Sequence, residues 1–185
     1  MAVDAIKIID FFYGENDPAR EILLLHSTQV RNKALAVARN SRRADLDLEL
    51  IASGAMLHDI GIRFCFAPGL GCFGQDEYIL HGITGAEKLR FYGFGEELAR
   101  ICERHTGSGL TADEIVADKL PLPERDYLPE TPEEKIICLA DKFFSKSGDF
   151  EEKSLDKICG ELAKFGTAPL ERFKILCSEF NIKGI

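Results

Sequence analysis

The side chains in this sequence best suited to chemistry are four histidines and two aspartates. His26, His58, His81 and His105 are the only histidines in the chain, and each falls inside or at the edge of a segment that reads as helix. None lies in the acidic stretches or near the termini, where an idle surface histidine is expected. His58 is followed at once by Asp59 and then by Ile60-Gly61, and a later Asp141 sits in Leu139-Ala140-Asp141-Lys142. Neutral imidazole nitrogen and carboxylate oxygen suit iron, manganese, zinc, cobalt or nickel, and such a mixed set leaves room for a bound water to become a nucleophile. A carboxylate flanked by apolar residues, as at Asp141, is costly to bury unpaired; a cation would remove that cost. Each residue also has an ordinary reading. Taken alone, His26 could be a helix-face histidine, His81 a neighbour of a helix start, His105 a cation at a helix C-terminus, and Asp141 a satisfied polar group.

The elements that must carry these residues are helices. Apolar residues at Ala5, Ile6, Ile8, Ile9, Phe11 and Phe12 predict a short helix over 4–13, stopped by Gly14. Asp17-Pro18 is a start signal, a capping carboxylate before a proline at the first helical position, and the stripe that follows to about Asn40 puts His26 and Val30 on one face. A helix opening near Asp47 runs to the His58-Asp59 pair, its small residues Ala52, Ser53, Gly54 and Ala55 permitting a close neighbour. Helices are expected over 81–92, 95–104, 111–120, 151–165 and 168–180. Thr131-Pro132-Glu133-Glu134 is a capping box that starts the helix presenting Asp141. Arg63 to Glu77, rich in glycine and phenylalanine, is a long loop of the kind that is more often functional than accidental; its aromatics could cover a site or plug the core. No alternating strands, internal repeat or low-complexity segment is evident, so the class is all-α, with residues 1–185 as a single domain, core about 17–147, and the helices at 4–13 and 151–180 packed on it.

Composition narrows the function classes. One compact domain suits 185 residues, 45% hydrophobic and 29% charged. A net charge of −8 argues against a nucleic-acid duplex as partner, although bound cations would still allow an anionic small molecule. No basic leader or long apolar span points to export or to a membrane. Six cysteines, Cys65, Cys72, Cys102, Cys138, Cys159 and Cys177, without Cys-x-x-Cys spacing, fit buried free thiols in a reducing cytoplasm. A homo-oligomer is compatible with all of this.

His26, then His58-Asp59, then Asp141, on separate helices of an all-α domain, resembles the HD superfamily of metal-dependent phosphohydrolases, and Ile60-Gly61 matches its HDIG subset. The resemblance covers roughly residues 17–147. It implies an HD-domain helical bundle and a metal ion held by His26, His58, Asp59 and Asp141. His81 and His105 match two extra histidines that some branches use to hold a second ion, with Asp59 bridging the pair. The implied cofactor is two divalent ions, iron, manganese or magnesium, with nickel, cobalt or zinc as alternatives. Ile62 stands where the HD-GYP phosphodiesterases have a lysine, and no Gly-Tyr-Pro follows His105, so the pattern is closer to the HD-type diadenosine tetraphosphate hydrolases. The implied reaction is hydrolysis of a phosphoester or phosphoanhydride bond, in a nucleotide or other small phosphorylated metabolite, by a hydroxide held at the metals with Asp59 spanning them. Arg63, Arg104 and Lys142 could neutralise phosphate charge, or, for Arg104 and Lys142, simply reach solvent beside their helices. Arg63 and Lys142 are carried as catalytic candidates with Asp59, and Arg104 is read as ordinary. Two rivals stay open: a mixed-valent diiron oxygenase built on the same six ligands, and a regulatory module that binds metal without turnover.

Overall fold

In a computed structural model, residues 4–148 and 150–183 are described; the expected domain limits at Met1 and Ile185 lie outside them. Nine α-helices form among the described residues, and capping chemistry sets most of their starts. Helix α1 (Ala5–Tyr13) opens on the Asp4 carboxylate, and α2 (Pro18–Asn40) on Asp17, whose Oδ1 accepts from the amide of Ala19 at 2.9 Å ahead of Pro18. Along α2 the buried residues Leu23, His26, Val30, Ala34 and Val37 recur every three or four positions. His26 is therefore buried because it interrupts a core stripe. Helix α3 (Leu48–Leu57), capped by Asp47, ends at His58, and a 3-10 turn over Ile60–Phe64 redirects the chain.

The following loop corrects the expectation of no strands. Two residue pairs, β1 (Phe66–Ala67) and β2 (Cys72–Phe73), form an antiparallel hairpin, too short to show alternation in sequence. Phe66 and Phe73 stay 63% and 71% exposed, so neither plugs the core. Phe64 is half-buried, edge-on to Phe12.

Helices α4 (His81–Phe91) and α5 (Glu96–Arg104) form a hairpin, and α6 (Ala112–Ala117) is shorter than the expected 111–120, opening on a Thr111–Glu114 capping box. The Thr131–Glu134 box with Pro132 starts α7 (Pro132–Asp141). Helix α8 (Leu155–Leu162) begins later than the expected 151, because the Ser154 hydroxyl caps it and the amide of Lys153 donates to the Phe143 carbonyl, holding the preceding residues extended. Helix α9 (Thr167–Glu179) closes the chain.

Two large apolar clusters organise the bundle. One joins Val30, Ile51, Ile101, Ile136, Leu139, Ile158 and Phe173; the other joins Ile9, Leu23, Leu57, Ile60, Leu89 and Cys102. Each fully buried Leu, Ile or Phe in them is worth roughly 1.5–3 kcal/mol against exposure. His26 falls between Leu23 of one cluster and Val30 of the other, and Leu50 packs against both. No helix among the described residues is long and apolar enough to cross a membrane.

Candidate metal centre

The fold brings all six expected ligands into one buried cluster. His26, His58, Asp59 and Asp141 form one group and Asp59, His81 and His105 a second, with the ligand atoms of each group within 4.8 Å of one another. Asp59 belongs to both, and its two oxygens divide the work. Oδ2 lies 3.2 Å from His26 Nε2 and 3.1 Å from His58 Nε2, while Oδ1 lies 3.4 Å from His81 Nε2 and 3.2 Å from His105 Nε2. Asp141 Oδ1 completes the first group at 3.0 Å from His26 Nε2.

Local structure explains why the imidazoles face inward. His58 ends α3 and His105 ends α5, where backbone carbonyls run out of helical partners, and His81 follows a 3-10 turn whose Tyr78 carbonyl accepts the His81 amide as well. Each ring uses Nδ1 to donate to the carbonyl three residues back: His58 to Ala55 at 2.7 Å, His81 to Tyr78 at 2.6 Å and His105 to Cys102 at 2.6 Å. A carbonyl only accepts, so Nδ1 carries a proton in each ring and Nε2 is the nitrogen turned to the centre, the outer-shell pattern typical of metal-bound histidine. Tyr78 also stacks on the His81 ring.

Close backbone approach places the second group. A Cβ on Gly61 would lie 1.9 Å from the His81 carbonyl oxygen, and one on Gly85 of α4 would meet the Gly61 amide nitrogen at 3.0 Å. The glycine after the His-Asp-Ile triplet thus lets α4 pack directly on the turn carrying Asp59, which is what puts His81 within reach of Oδ1.

The donor set fits cations. Nε2 atoms face each other at 3.3 Å between His26 and His58 and at 3.0 Å between His81 and His105. Both oxygens of Asp59 are buried without a well-directed hydrogen bond. Lone pairs gathered this way need positive charge among them. A proton can supply it only in the first group. Burial disfavours imidazolium at His58, but the carboxylates of Asp59 and Asp141 outweigh that and hold its pKa up at about 9. Burial, and then the neighbouring His105, press His81 down to about 3, and burial also lowers His105. The second pair therefore offers two free lone pairs, as a divalent ion requires. Burial opposes ionisation of Asp59 and Asp141, yet His58 and Lys146 around the first, and Lys142 and Lys146 around the second, keep both carboxyls well below the usual range.

The expected cationic residues separate. Lys142 stands at the centre, its Nζ 2.8 Å from Asp141 Oδ2. Arg63 does not join it: its guanidinium pairs with Asp17 at 3.1 Å and lies over the Tyr13 ring, committed to the start of α2. Arg104 donates to the Leu128 carbonyl and pairs with Glu130, tying down the 122–130 linker. Sequence reasoning missed Lys146, whose Nζ is 2.9 Å from Asp59 Oδ2. Its only signal was a second lysine shortly after Asp141, in a stretch without helical periodicity.

The centre opens on a cleft of about 1070 Å³, lined near its floor by Asp141, Lys142, Lys146 and Tyr78 and along its walls by aromatic and aliphatic groups including Phe66, Phe144 and Phe165. The glycine-rich hairpin loop forms one wall through Phe66 to Leu70. The six cysteines are free, and all but Cys159 are buried.

The HD domain model matches residues 23–145. An uncharacterized protein of Methanocaldococcus jannaschii is 44% identical over 151 residues, covering 80% of this chain and 79% of that one. The tRNA (cytidine(56)-2'-O)-methyltransferase of Picrophilus torridus is 38% identical over 134 residues, covering 71% of this chain but 34% of its own length. That of Thermoplasma volcanium is 35% identical over 133 residues, covering 72% and 33%, so the chain spans about a third of these two relatives. In fold, the HD domain of the L. monocytogenes phosphodiesterase PgpH is similar, with a TM-score of 0.56, 18% identity and coverage of 96% and 95%. Its complex with cyclic-di-AMP gives 0.58, 19%, and 96% and 93%. With the family model spanning about two thirds of the chain, over a buried cluster that could hold metal, the chain belongs to the HD-domain family of metal-dependent hydrolases.

Proposed function

We propose that this chain hydrolyses a phosphoester or phosphoanhydride bond of a nucleotide or other small phosphorylated metabolite, with two divalent cations at the His/Asp centre. The observation that carries this reading is the division of Asp59, one carboxylate oxygen facing each histidine group. Two ions so placed would lower the pKa of a bound water and withdraw charge from a phosphoryl oxygen. The chain's own residues then have separable tasks. Asp59 fixes the spacing of the two groups; the Nδ1–H donations of His58, His81 and His105 keep each Nε2 aimed inward. Lys142, at the cleft floor, neutralises charge on a phosphate that enters. The aromatic and aliphatic walls favour a substrate whose phosphate is attached to a group with a flat stacking face, as a nucleobase has.

A cleft of about 1070 Å³ slightly exceeds the ordinary range of small-molecule pockets, and the similar fold that binds cyclic-di-AMP further supports a nucleotide with two bases. We place the chain, on its HDIG stretch and two extra histidines, beside the dinucleoside polyphosphate hydrolases. Free thiols support a reducing, cytoplasmic setting.

The test is a panel of nucleotides, dinucleoside polyphosphates and cyclic dinucleotides, incubated under nitrogen with protein reconstituted with manganese or iron and resolved by chromatography. Cleavage at phosphorus without oxygen is expected. Oxygen consumption in a parallel aerobic incubation, with no phosphorus–oxygen cleavage in either, would move the assignment to oxygenase chemistry.

A further inference from the structure

Lys146 is a half-buried cation, its side chain 18% exposed, whose ion pairs are with the candidate ligands Asp59 and Asp141. Its Nζ is 2.9 Å from Asp59 Oδ2 and 4.0 Å from Asp141 Oδ1. Asp59 Oδ2 is also the oxygen that faces His26 and His58. An ammonium and a divalent ion would therefore draw on the same carboxylate. The lysine also stands on a boundary: it lines the outer cleft, and it lines a small interior pocket together with His26 and Asp59. It follows the end of α7 in a stretch of bends rather than helix, so its four-carbon stem is carried by backbone that is not locked in a helical ladder. Asp141 does not depend on it, because Lys142 already holds Oδ2 of that residue at 2.8 Å.

We propose that Lys146 is a built-in counter-cation with two alternative partners: it holds Asp59 while the centre is free of metal, and turns into the cleft to hold the substrate's phosphate once a cation takes that carboxylate. The inference rests on the metal-centre reading above. Two divalent ions carry more positive charge than the two carboxylates cancel, so a loaded centre repels the ammonium from Asp59 and draws an anion into the cleft, where the displaced lysine meets it. Lys146 is thus a substrate-positioning residue and also a brake on metal uptake.

The experiment compares wild type with Lys146→Met, and with Lys146→Gln should the first fold poorly, using Co²⁺ as the probe because its visible spectrum reports coordination. Three results are expected together. The metal-free variant melts below wild type, and the gap closes when Co²⁺ is added. Co²⁺ binds the variant at least tenfold more tightly. Inorganic phosphate, titrated into the Co²⁺-loaded proteins and followed by its spectral perturbation, binds the variant at least tenfold more weakly, with Lys146→Arg restoring most of the loss. Equal melting deficits with and without Co²⁺, with unchanged Co²⁺ affinity, would reduce Lys146 to a structural role. Unchanged phosphate affinity would remove its second partner and overturn the two-partner proposal. A wild-type chain that takes up no Co²⁺ would refute the metal centre, and this inference with it; uptake by wild type with an unaltered variant refutes this inference alone.

Discussion

Replacing Gly61 by alanine should dismantle half of the centre from a position that is not a ligand. The added methyl would sit 1.9 Å from the His81 carbonyl oxygen, 2.5 Å from the Gly85 amide nitrogen and 2.9 Å from the Gly85 Cα. All three are backbone atoms, so no side chain can swing aside. Ordinary contact demands a retreat of about 1.5 Å by the start of α4 or by the turn carrying Asp59. His81 Nε2 is only 3.4 Å from Asp59 Oδ1, and a retreat of that size takes the second group out of ligating range. Overpacking costs about 1–3 kcal/mol, and a clash with backbone belongs at the upper end. At about 3 kcal/mol, the melting temperature falls by roughly 6–12 °C in a chain of this length. Gly160→Ala is the control, on the exposed face of α8 with nothing within 4 Å of the new methyl; it should raise stability by about 0.5–1 kcal/mol. The assay is calorimetric melting of both variants beside metal analysis. Gly61→Ala with an unshifted melting temperature and full metal content would refute the claim that this glycine sets the position of His81.

Two further outcomes follow from the ion pairs. Arg63→Met should leave metal content unchanged and lower stability by no more than about 1 kcal/mol, the usual worth of a part-exposed pair, since its partners are Asp17 and Tyr13; loss of metal on equilibrium dialysis would return Arg63 to the centre. Arg172 of α9 reaches the Glu114 carboxylate and donates to the Ser108 and Gly109 carbonyls, just after His105. Burial pushes the Glu114 carboxyl up, but Arg172 and Thr111 outweigh it and lower its pKa below the ordinary 4.5. The depressed value means that this contact contributes fully above about pH 4.5 and is lost as the pH falls further. Arg172→Met should therefore flatten the fall of melting temperature with acid in that range; a slope identical to wild type would show that the pair does not stabilise the loop.

Much of this could be read before any coordinates, because it is written in local chemistry. Asp17-Pro18 and the Thr131–Glu134 box place the starts of α2 and α7, and the interrupted stripe around His26 marks it as buried. What stayed illegible depends on contacts between distant residues. Gly61 and Gly85 meet across the chain, and nothing in either neighbourhood announces it. Arg63 was a fair phosphate-binding candidate until the fold brought it to Asp17, which claims its charge. Lys146 sits beyond the last helical turn of α7, where no period fixes direction, so a second lysine after Asp141 does not by itself announce an approach to Asp59. The hairpin at Phe66–Phe73 pairs two residues with two, below the length at which alternation can be seen.

The most direct test is elemental analysis of untagged protein, wild type beside His81→Ala. Two divalent ions per chain falling to one is the expected result, since His81 serves only the group that shares Asp59 Oδ1. One ion in both proteins would contradict the binuclear centre and leave His26, His58, Asp59 and Asp141 as a single-metal site.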